Sequence, residues 1–486
     1  MMQFPPADTT STSAATSSLT MASHSKDRIS YYYSPGVGEY HYGEGHPMKP
    51  PRLALTHNLI LAYGLTRKMD VFKPRKAEDV EITEFHAEDY VEFLKRVTPD
   101  NVNNFQKFLT RFNVGVEDCP VFDGMYDFCR LYSGGSIAAA RRLVTEKTDI
   151  AINWSGGLHH AKKFEASGFC YINDIVLAIL ELLRFYPRVL YVDIDVHHGD
   201  GVQEAFYQTD RVMTVSLHRY DGLFFPGTGS LDEIGSKAGK NYSINVPLQE
   251  HIDDDAYFYV FKHVMQNVMD TYRPSAIVLQ CGADSLASDR LGCFNLSIKG
   301  HGNCVKFMKG FKVPMMVLGG GGYTIRNVSR CWTYETGILT DTELPNEIPK
   351  TTDYYSHYAP DYKLHPPIVD NHANNNNTRQ YLDNVRYQIA QYLKYVGGAP
   401  SVQMQEIPPG LTGFQEYNDW DRVPDQIEDS RPDVRVDGLS GRATMEQVAD
   451  ANSSRRAREV VEFDEREYYD ESGDVDRDGG VDIMGT

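Results

Sequence analysis

Residues Tyr191–Gly201 read YVDIDVHHGDG. The apolar run before and through this stretch, Val189–Ile194, ends in Asp195, His197, His198 and Asp200, closed by a glycine. A short apolar run of this kind is a buried strand, and here its carboxyl end is loaded with polar groups. Alternation along a strand sends Asp193, Asp195 and His197 to one side. Two carboxylates and an imidazole are costly to bury together unless positive charge sits among them, and a divalent metal is the simplest supply of it.

The pattern repeats outward from this stretch. Strand-like runs occur at Ile29–Tyr33, Ile150–Trp154, Val212–Leu217, Ala276–Cys281 and Met315–Leu318. Amphipathic stretches at Ile175–Phe185, Ala256–Met269 and Ile298–Phe311 lie between several of them. Such alternation predicts an α/β fold, a doubly wound and mostly parallel β-sheet flanked by helices, with its site at the C-terminal strand ends. Tyr40–Arg52 is a loop broken by Gly and Pro, Arg52–Met69 has helical spacing, Phe105–Asp118 is loop-rich, and a helix is expected over Thr378–Val396. One domain over 29–410 follows, between an unstructured Ser/Thr/Ala-rich tail at 1–28 and an acidic, unstructured tail at 411–486.

Composition narrows the function. The chain has 486 residues, 41% of them hydrophobic, enough for a large core. No apolar run approaches the ~20 residues of a membrane span, and neither a secretory nor a mitochondrial leader is recognisable. Seven cysteines without a C-x-x-C pair suggest reduced thiols in an intracellular protein. The net charge is −19, and 411–486 holds 21 acidic residues against 9 arginines. Bulk charge excludes nucleic-acid binding and suits a cationic, lysine-rich substrate.

The unusual polar residues all follow strands. Ile150–Trp154 leads to Gly156-Gly157-Leu158-His159-His160, Ala276–Cys281 to Asp284, and Met315–Leu318 to four glycines and Tyr323. A His pair, an Asp at a strand end or a glycine run is each ordinary alone. At one sheet edge together they describe a site. Asp195, His197 and Asp284 give an O/N/O metal set with open positions, suited to zinc or to iron(II). His159 and His160 can act on water, with Asp193 and Asp200 behind them to fix tautomers. Tyr323, on a flexible glycine run, supplies an oxyanion donor. The set fits amide hydrolysis. His160 is expected to be general base and then acid, supported by a more solvated Asp200 in the turn, with His159 an electrostatic partner.

At RFNVGVEDCPVFDG, NWSGGLHHAKKFEASGFCYINDI, YVDIDVHHGDGVQEAFY, LQCGADSLASDRLGCFNLS and LGGGGYTIRNVSRCWTYET the chain resembles the zinc-dependent histone deacetylases of class I, in the arginase/deacetylase fold superfamily. The resemblance implies removal of acetyl groups from N6-acetyl-lysine of histone tails and transcriptional repression within corepressor complexes in the nucleus, with cytoplasm also open. It implies one Zn2+ on Asp195, His197 and Asp284, and His159–Asp193 and His160–Asp200 dyads with Tyr323. Gly168, Phe169, Phe225 and Leu291 match the walls of an acyl-lysine channel, and Asp118 its rim carboxylate. A structural K+ matches Asp193, Asp195, His197, Ser216 and Leu217, and by sharing the charge of Asp193 it should keep His159 neutral or hydrogen-bond-donating. Lys49, Arg290 and Arg326 match a basic surface for an inositol phosphate. Val116 and the stretch Tyr220–Pro226 each lengthen a rim loop by one residue relative to the common form.

Three rivals weigh against this. A ureohydrolase needs a second metal and carboxylates where this chain has Gly199 and Leu286. An acetylpolyamine amidohydrolase shares the chemistry, but the acidic tail and the Lys49/Arg290/Arg326 set lean away from it. A non-catalytic scaffold has no reason to keep every catalytic residue.

Overall fold

Each strand expected from the apolar runs is present in the computed structural model, which describes residues 28–116, 118–367, 375–398 and 434–435. The strands are β1 (Ile29–Tyr32), β2 (Asp70–Lys73), β3 (Ile150–Asn153), β4 (Val189–Asp193), β5 (Val212–Arg219), β6 (Ser243–Leu248), β7 (Ala276–Gln280), β8 (Met315–Leu318) and β9 (Val434–Arg435). They form one sheet in the order β6-β5-β4-β7-β8-β3-β1-β2-β9. The first eight pair in parallel, and β9 adds antiparallel to the β2 edge. The 1–27 stretch lies outside the described residues, as does all of 411–486 except β9, which falls within the acidic tail.

The threading explains why distant segments meet. From β3 the chain crosses to β4, leaves room for two strands, builds β5 and β6 outward, and returns to fill the space with β7 and β8. Strands β4, β7, β8 and β3 are therefore consecutive in the sheet. Asp193 pairs with Gln280, Gln280 with Leu318, and Leu318 with Asn153. All four chains thus leave the sheet at one level, where parallel sheets bind ligands.

The strands of a parallel sheet are buried on both faces. Every residue of β3, β4, β5, β7 and β8 is buried. One face packs on the helices Met125–Val144 and Asp174–Leu183, where Ala138, Ala139, Leu143, Ile175, Ile179 and Leu182 meet Ala151, Tyr191 and Val278. The helices Pro51–Ala62, Ile325–Leu339, Ile298–Lys309, Asp254–Tyr272 and Arg379–Leu393 pack side by side in that succession. The last of these starts at Thr378, whose hydroxyl caps Tyr381 N. No helix among the described residues is long and apolar enough to cross a membrane, and all seven cysteines are free.

Two expectations are corrected. The helix over Arg52–Met69 stops at Ala62, and Leu65–Lys68 forms a separate 3-10 turn after the left-handed Gly64. Phe105–Asp118 is not simply a loop, because Gln106–Phe112 is helical and buries Leu109 and Phe112. Their spacing with Phe105 and Phe108 puts these apolar groups close together on one side of that short helix.

Candidate active site

The site is built outward from strand ends held by buried carboxylates. After β3 the chain turns at Gly156 and Gly157, and Asp174 grips the turn. Its oxygens accept from Gly157 N, Leu158 N and the Ser136 hydroxyl. Asp174 opens the helix Asp174–Leu183, whose Asn173 cap accepts from Val176 N and donates to Ala161 O. Burial pushes Asp174 up to about 6. His159 and His160 are thereby presented with their rings 3.9 Å apart.

Each histidine meets its expected carboxylate. His159 Nδ1 stands 2.7 Å from Asp193 Oδ2, an oxygen that also accepts from the Tyr191 hydroxyl at 2.5 Å. His160 Nδ1 stands 2.7 Å from Asp200 Oδ1, with Lys162 Nζ 3.5 Å from the other oxygen. A carboxylate accepts only, so in both rings Nδ1 carries the proton and Nε2 faces the chemistry. Asp200 is not the solvated turn residue expected. It begins the helix Asp200–Phe206 and is buried, as Asp193 is.

Asp195, His197 and Asp284 converge as expected, with one ligand atom from each inside a 4.8 Å span. His197 Nδ1 lies 3.1 Å from Asp195 Oδ1 and 3.2 Å from Asp284 Oδ2. The remaining oxygens are held in place: Asp195 Oδ2 by Gln280 Nε2 and Gly321 N, both at 2.9 Å, and Asp284 Oδ1 by Val196 N at 2.9 Å. Burial and the charge of Asp195 push Asp284 up to about 7. Burial alone would lower His197, but the hydrogen bonds of Asp195 and Asp284 carry it up to about 10. Two buried carboxylates thus hold a proton on the imidazole between them, and a divalent cation fits the same place by displacing that proton. The donor set suits zinc.

Electrostatics separate the two dyads. Burial opposes charge on His159, yet Asp193 and Asp195 raise it to about 9. Burial and then the charge of His159 push His160 down to about 4, against the pull of Asp200. Among the protein's own groups His159 is therefore the cation and His160 the neutral base. The expected neutrality of His159 depends on a cation sharing the charge of Asp193, whereas the raised value belongs to the protein's own groups alone.

Of the residues expected to line a channel, Gly168 and Phe225 meet beside His160, and Phe169 meets Tyr323. A Cβ at Gly168 would lie 2.5 Å from His160 Cδ2 and 2.9 Å from Phe225, so only a glycine lets that wall approach. The Phe225 ring is edge-on to His160 at 4.9 Å. Phe169 meets the Tyr323 ring edge-on at 5.6 Å, and its carbonyl accepts from the Tyr42 hydroxyl. Phe225 and Leu291 are both more than a third exposed. Asp118 is exposed and acts on His46, whose ring packs edge-on against Phe169 at 4.7 Å. Burial, with Asp284 and Asp195 nearby, pushes the Tyr323 phenol up, so it keeps its proton and can donate.

The glycine run is pinned, contrary to the flexibility expected of it. Arg52 donates to Gly320 O and Gly322 O at 2.6 Å each, and Asp289 accepts from Tyr323 N at 2.7 Å. These ties also bring the expected anion-site residues towards one region. Lys49 precedes the Arg52 helix, Arg290 follows Asp289, and Arg326 lies in the first turn after Tyr323. Arg290 is exposed, while Lys49 and Arg326 are half-buried. Ser216 sits opposite Asp193 across β4 and β5.

Sequence reasoning missed Gln280, Asp174, Arg52, Tyr191 and Phe224, whose ring stacks on His197 at 5.2 Å. Gln280 left a signal: it is the one polar residue in the run AIVLQ, at the strand end that leads to Asp284.

Comparison with known proteins agrees with this geometry. Residues 46–339 match the histone deacetylase domain family. Histone deacetylase 9 of Arabidopsis thaliana is 58% identical over 417 residues, covering 86% of this chain and 95% of that protein. Histone deacetylase 1 of Homo sapiens is 52% identical over 452 residues, covering 90% and 92%. The probable histone deacetylase 1-B of Xenopus laevis is 57% identical over 408 residues, 84% of each chain. A buried Asp/His/Asp set with two His–Asp dyads at the ends of one parallel sheet, and identity of this extent across most of the chain, mean that the chain belongs to the histone deacetylase family.

Proposed function

We propose that this chain hydrolyses N6-acetyl-lysine on histone tails, releasing acetate and free lysine, with Asp195, His197 and Asp284 holding one zinc. The approach of Gly168, Phe225 and His160 beside the Asp/His/Asp set carries the reading. Such walls clasp the apolar lysine stem and exclude a charged, unacetylated ammonium. When bound, zinc supplies the Lewis acid that polarises the amide carbonyl and makes water nucleophilic near neutral pH.

The protein's own groups supply the rest. Neutral His160 takes the water proton at Nε2 as the water oxygen bonds to the carbonyl carbon, while Asp200 holds its Nδ1–H. Tyr323 donates to the carbonyl oxygen as negative charge develops there. Cationic His159 stabilises the same charge. The C–N bond then breaks, the leaving lysine nitrogen takes the proton from His160, and the acetyl group departs as acetate. Asp118 at the mouth accepts from substrate backbone N–H groups.

The finer assignments belong to the same proposal. A K+ bound by Asp193, Asp195, His197, Ser216 and Leu217 offsets carboxylate charge under the site. Lys49, Arg290 and Arg326 bind an inositol phosphate at the surface that a corepressor covers, and the enzyme works in the nucleus as a repressor of transcription.

The test compares acetate release from an acetylated histone-tail peptide and from an acetylated polyamine, with metal analysis on the same sample. We expect about one zinc per chain, preference for the peptide, and loss of most of the metal in Asp284→Asn. Two metals per chain, or preference for the polyamine, would overturn the reading. Tyr323→Phe should lower kcat by ~10²-fold or more with KM little changed, as for a lost oxyanion donor. A raised KM at constant kcat would make Tyr323 a binding group instead.

A further inference from the structure

Three buried groups outside the catalytic set meet where the helices Ile298–Lys309 and Ile325–Leu339 pack together: His301, Cys331 and Glu335. Their ligand-type atoms fall within 4.8 Å of one another, as in the Asp195 set. A second metal site is the obvious reading, and the distances oppose it. His301 Nδ1 and Glu335 Oε1 are 2.5 Å apart. Two ligands each ~2.0 Å from a tetrahedral zinc stand roughly 3.3 Å apart.

Proton counting gives a different role. His301 Nε2 lies 3.0 Å from Gly282 O, which only accepts, so Nε2 carries a proton. A second proton must then lie between Nδ1 and the Glu335 carboxylate. Cys331 Sγ, 3.5 Å from Nδ1, remains a thiol, because burial and then the charge of Glu335 push it up to about 11. The trio is a proton-bridged pair that aims one N–H at one carbonyl.

That carbonyl lies in the link between β7 and Asp284. Along the link Cys281 O accepts from Trp332 Nε1 at 2.8 Å, Gly282 N donates to Gln280 Oε1 at 2.8 Å, and Ala283 N donates to Gly321 O at 2.9 Å. The tolerance is small, since a Cβ on Gly282 would lie 2.0 Å from Asp195 Oδ2. We propose that His301, oriented by Glu335, is a positioning residue that fixes the Gly282 carbonyl and so directs the Asp284 carboxylate to the metal. The proposal rests on the assignment of Asp195, His197 and Asp284 as the metal set.

The single substitution His301→Phe strands both the carbonyl and Glu335, whose Oε2 already lacks a hydrogen-bond partner among the described residues, so it can unfold the chain for reasons of burial alone. The deciding variant is therefore His301→Leu with Glu335→Leu, which removes the buried acid and the N–H together. Glu335→Gln is the conservative control, since its amide can donate to Nδ1 and leave Nε2–H in place. Zinc affinity is read by competition with a chelator on the full chain, and thermal unfolding is followed alongside. We expect Glu335→Gln to match the unsubstituted protein within about threefold, and the double Leu variant to bind zinc ~10-fold more weakly, the lower end of the cost of losing a partner bonded directly to a metal ligand, because His301 acts one step further out. Unchanged zinc affinity in the double Leu variant would reduce His301 to packing and overturn the proposal, as would failure of that variant to fold while His301→Phe folds with normal zinc affinity. Absence of zinc from the unsubstituted protein would overturn the metal assignment itself, and this proposal with it.

Discussion

At the scale of single residues, identical side chains acquire different jobs from the charges around them. His159 and His160 are neighbours with the same 2.7 Å bond to an aspartate. His159 also feels Asp195, and burial together with the resulting charge of His159 keeps His160 neutral. A base must be neutral to accept a proton, so His160→Ala should cost more in kcat than His159→Ala, with zinc retained in both. If His159→Ala is the more damaging at every pH, the roles are reversed. Asp174 offers a second test, on stability. Its folded value of about 6 lies above the ordinary carboxylate value of 3.8. A raised folded value means that its contribution is complete below about 3.8 and is lost as pH rises through about 6. Asp174→Asn keeps an acceptor for Gly157 N and Leu158 N and cannot ionise. The stability of the parent relative to this variant should therefore fall between pH 4 and 6.5, in urea unfolding at each pH. A difference constant across that range would mean that Asp174 is not the titrating group.

At the scale of elements, the helix Met125–Val144 shows where local pattern and tertiary demand conflict. Its centre reads Ser133-Gly134-Gly135-Ser136, which breaks the periodicity that marks a helix. A Cβ at Gly134 would lie 1.9 Å from Arg75 O, and one at Gly135 would lie 2.7 Å from Asn153 Nδ2. Glycine is there because neighbouring chain passes through the space a side chain would need. Propensity alone would make Gly134→Ala stabilising by about 1 kcal/mol. Overpacking against a backbone oxygen costs about 1–3 kcal/mol, and because a carbonyl in the Arg75 segment cannot swing aside like a side chain, the net sign should be destabilising, read as a lower urea midpoint at unchanged slope. A stabilised variant would show that the two segments separate easily. The same conflict decided what was legible. Strands β3, β4, β5, β7 and β8 were readable because a parallel strand buried on both faces is one apolar run. Strand β6 was not, because Pro247 interrupts it, and the fold tolerates that proline by keeping β6 at the sheet edge. The candidate metal set and the two His–Asp pairs were readable as polar residues just past apolar runs. Gln280, Arg52 and Asp174 were not, because their role is to satisfy backbone and carboxylate groups contributed by other strands and loops, and only the threading brings those groups within reach.

At the scale of the whole molecule, negative charge is densest at the end of the sequence, −8 in residues 437–486 against −11 in the 436 residues before them. Residues 437–486 carry 14 acidic side chains against 6 arginines, while the chain as a whole carries −19. The proposed catalytic groups lie upstream in sequence, between His159 and Tyr323, and their polar contacts among the described residues are made within residues 42–323. If that end acts through its charge alone, deleting 437–486 leaves kcat and zinc content unchanged, and the deletion spares the β9 pairing with β2. Its effect should fall on encounter with a lysine-rich substrate. Attraction between exposed charges decays over about 10 Å at 0.1 M salt and about 3 Å at 1 M, and such charges act mainly on association. The deletion should thus raise KM for a polycationic histone-tail peptide at low ionic strength, with the difference closing as salt approaches 1 M. For a short neutral acetyl-lysine peptide, the two proteins should give the same KM at all salt concentrations. If the deletion changes kcat, or raises KM equally for both peptides and at high salt, the acidic end acts on the catalytic domain by contact rather than by its field.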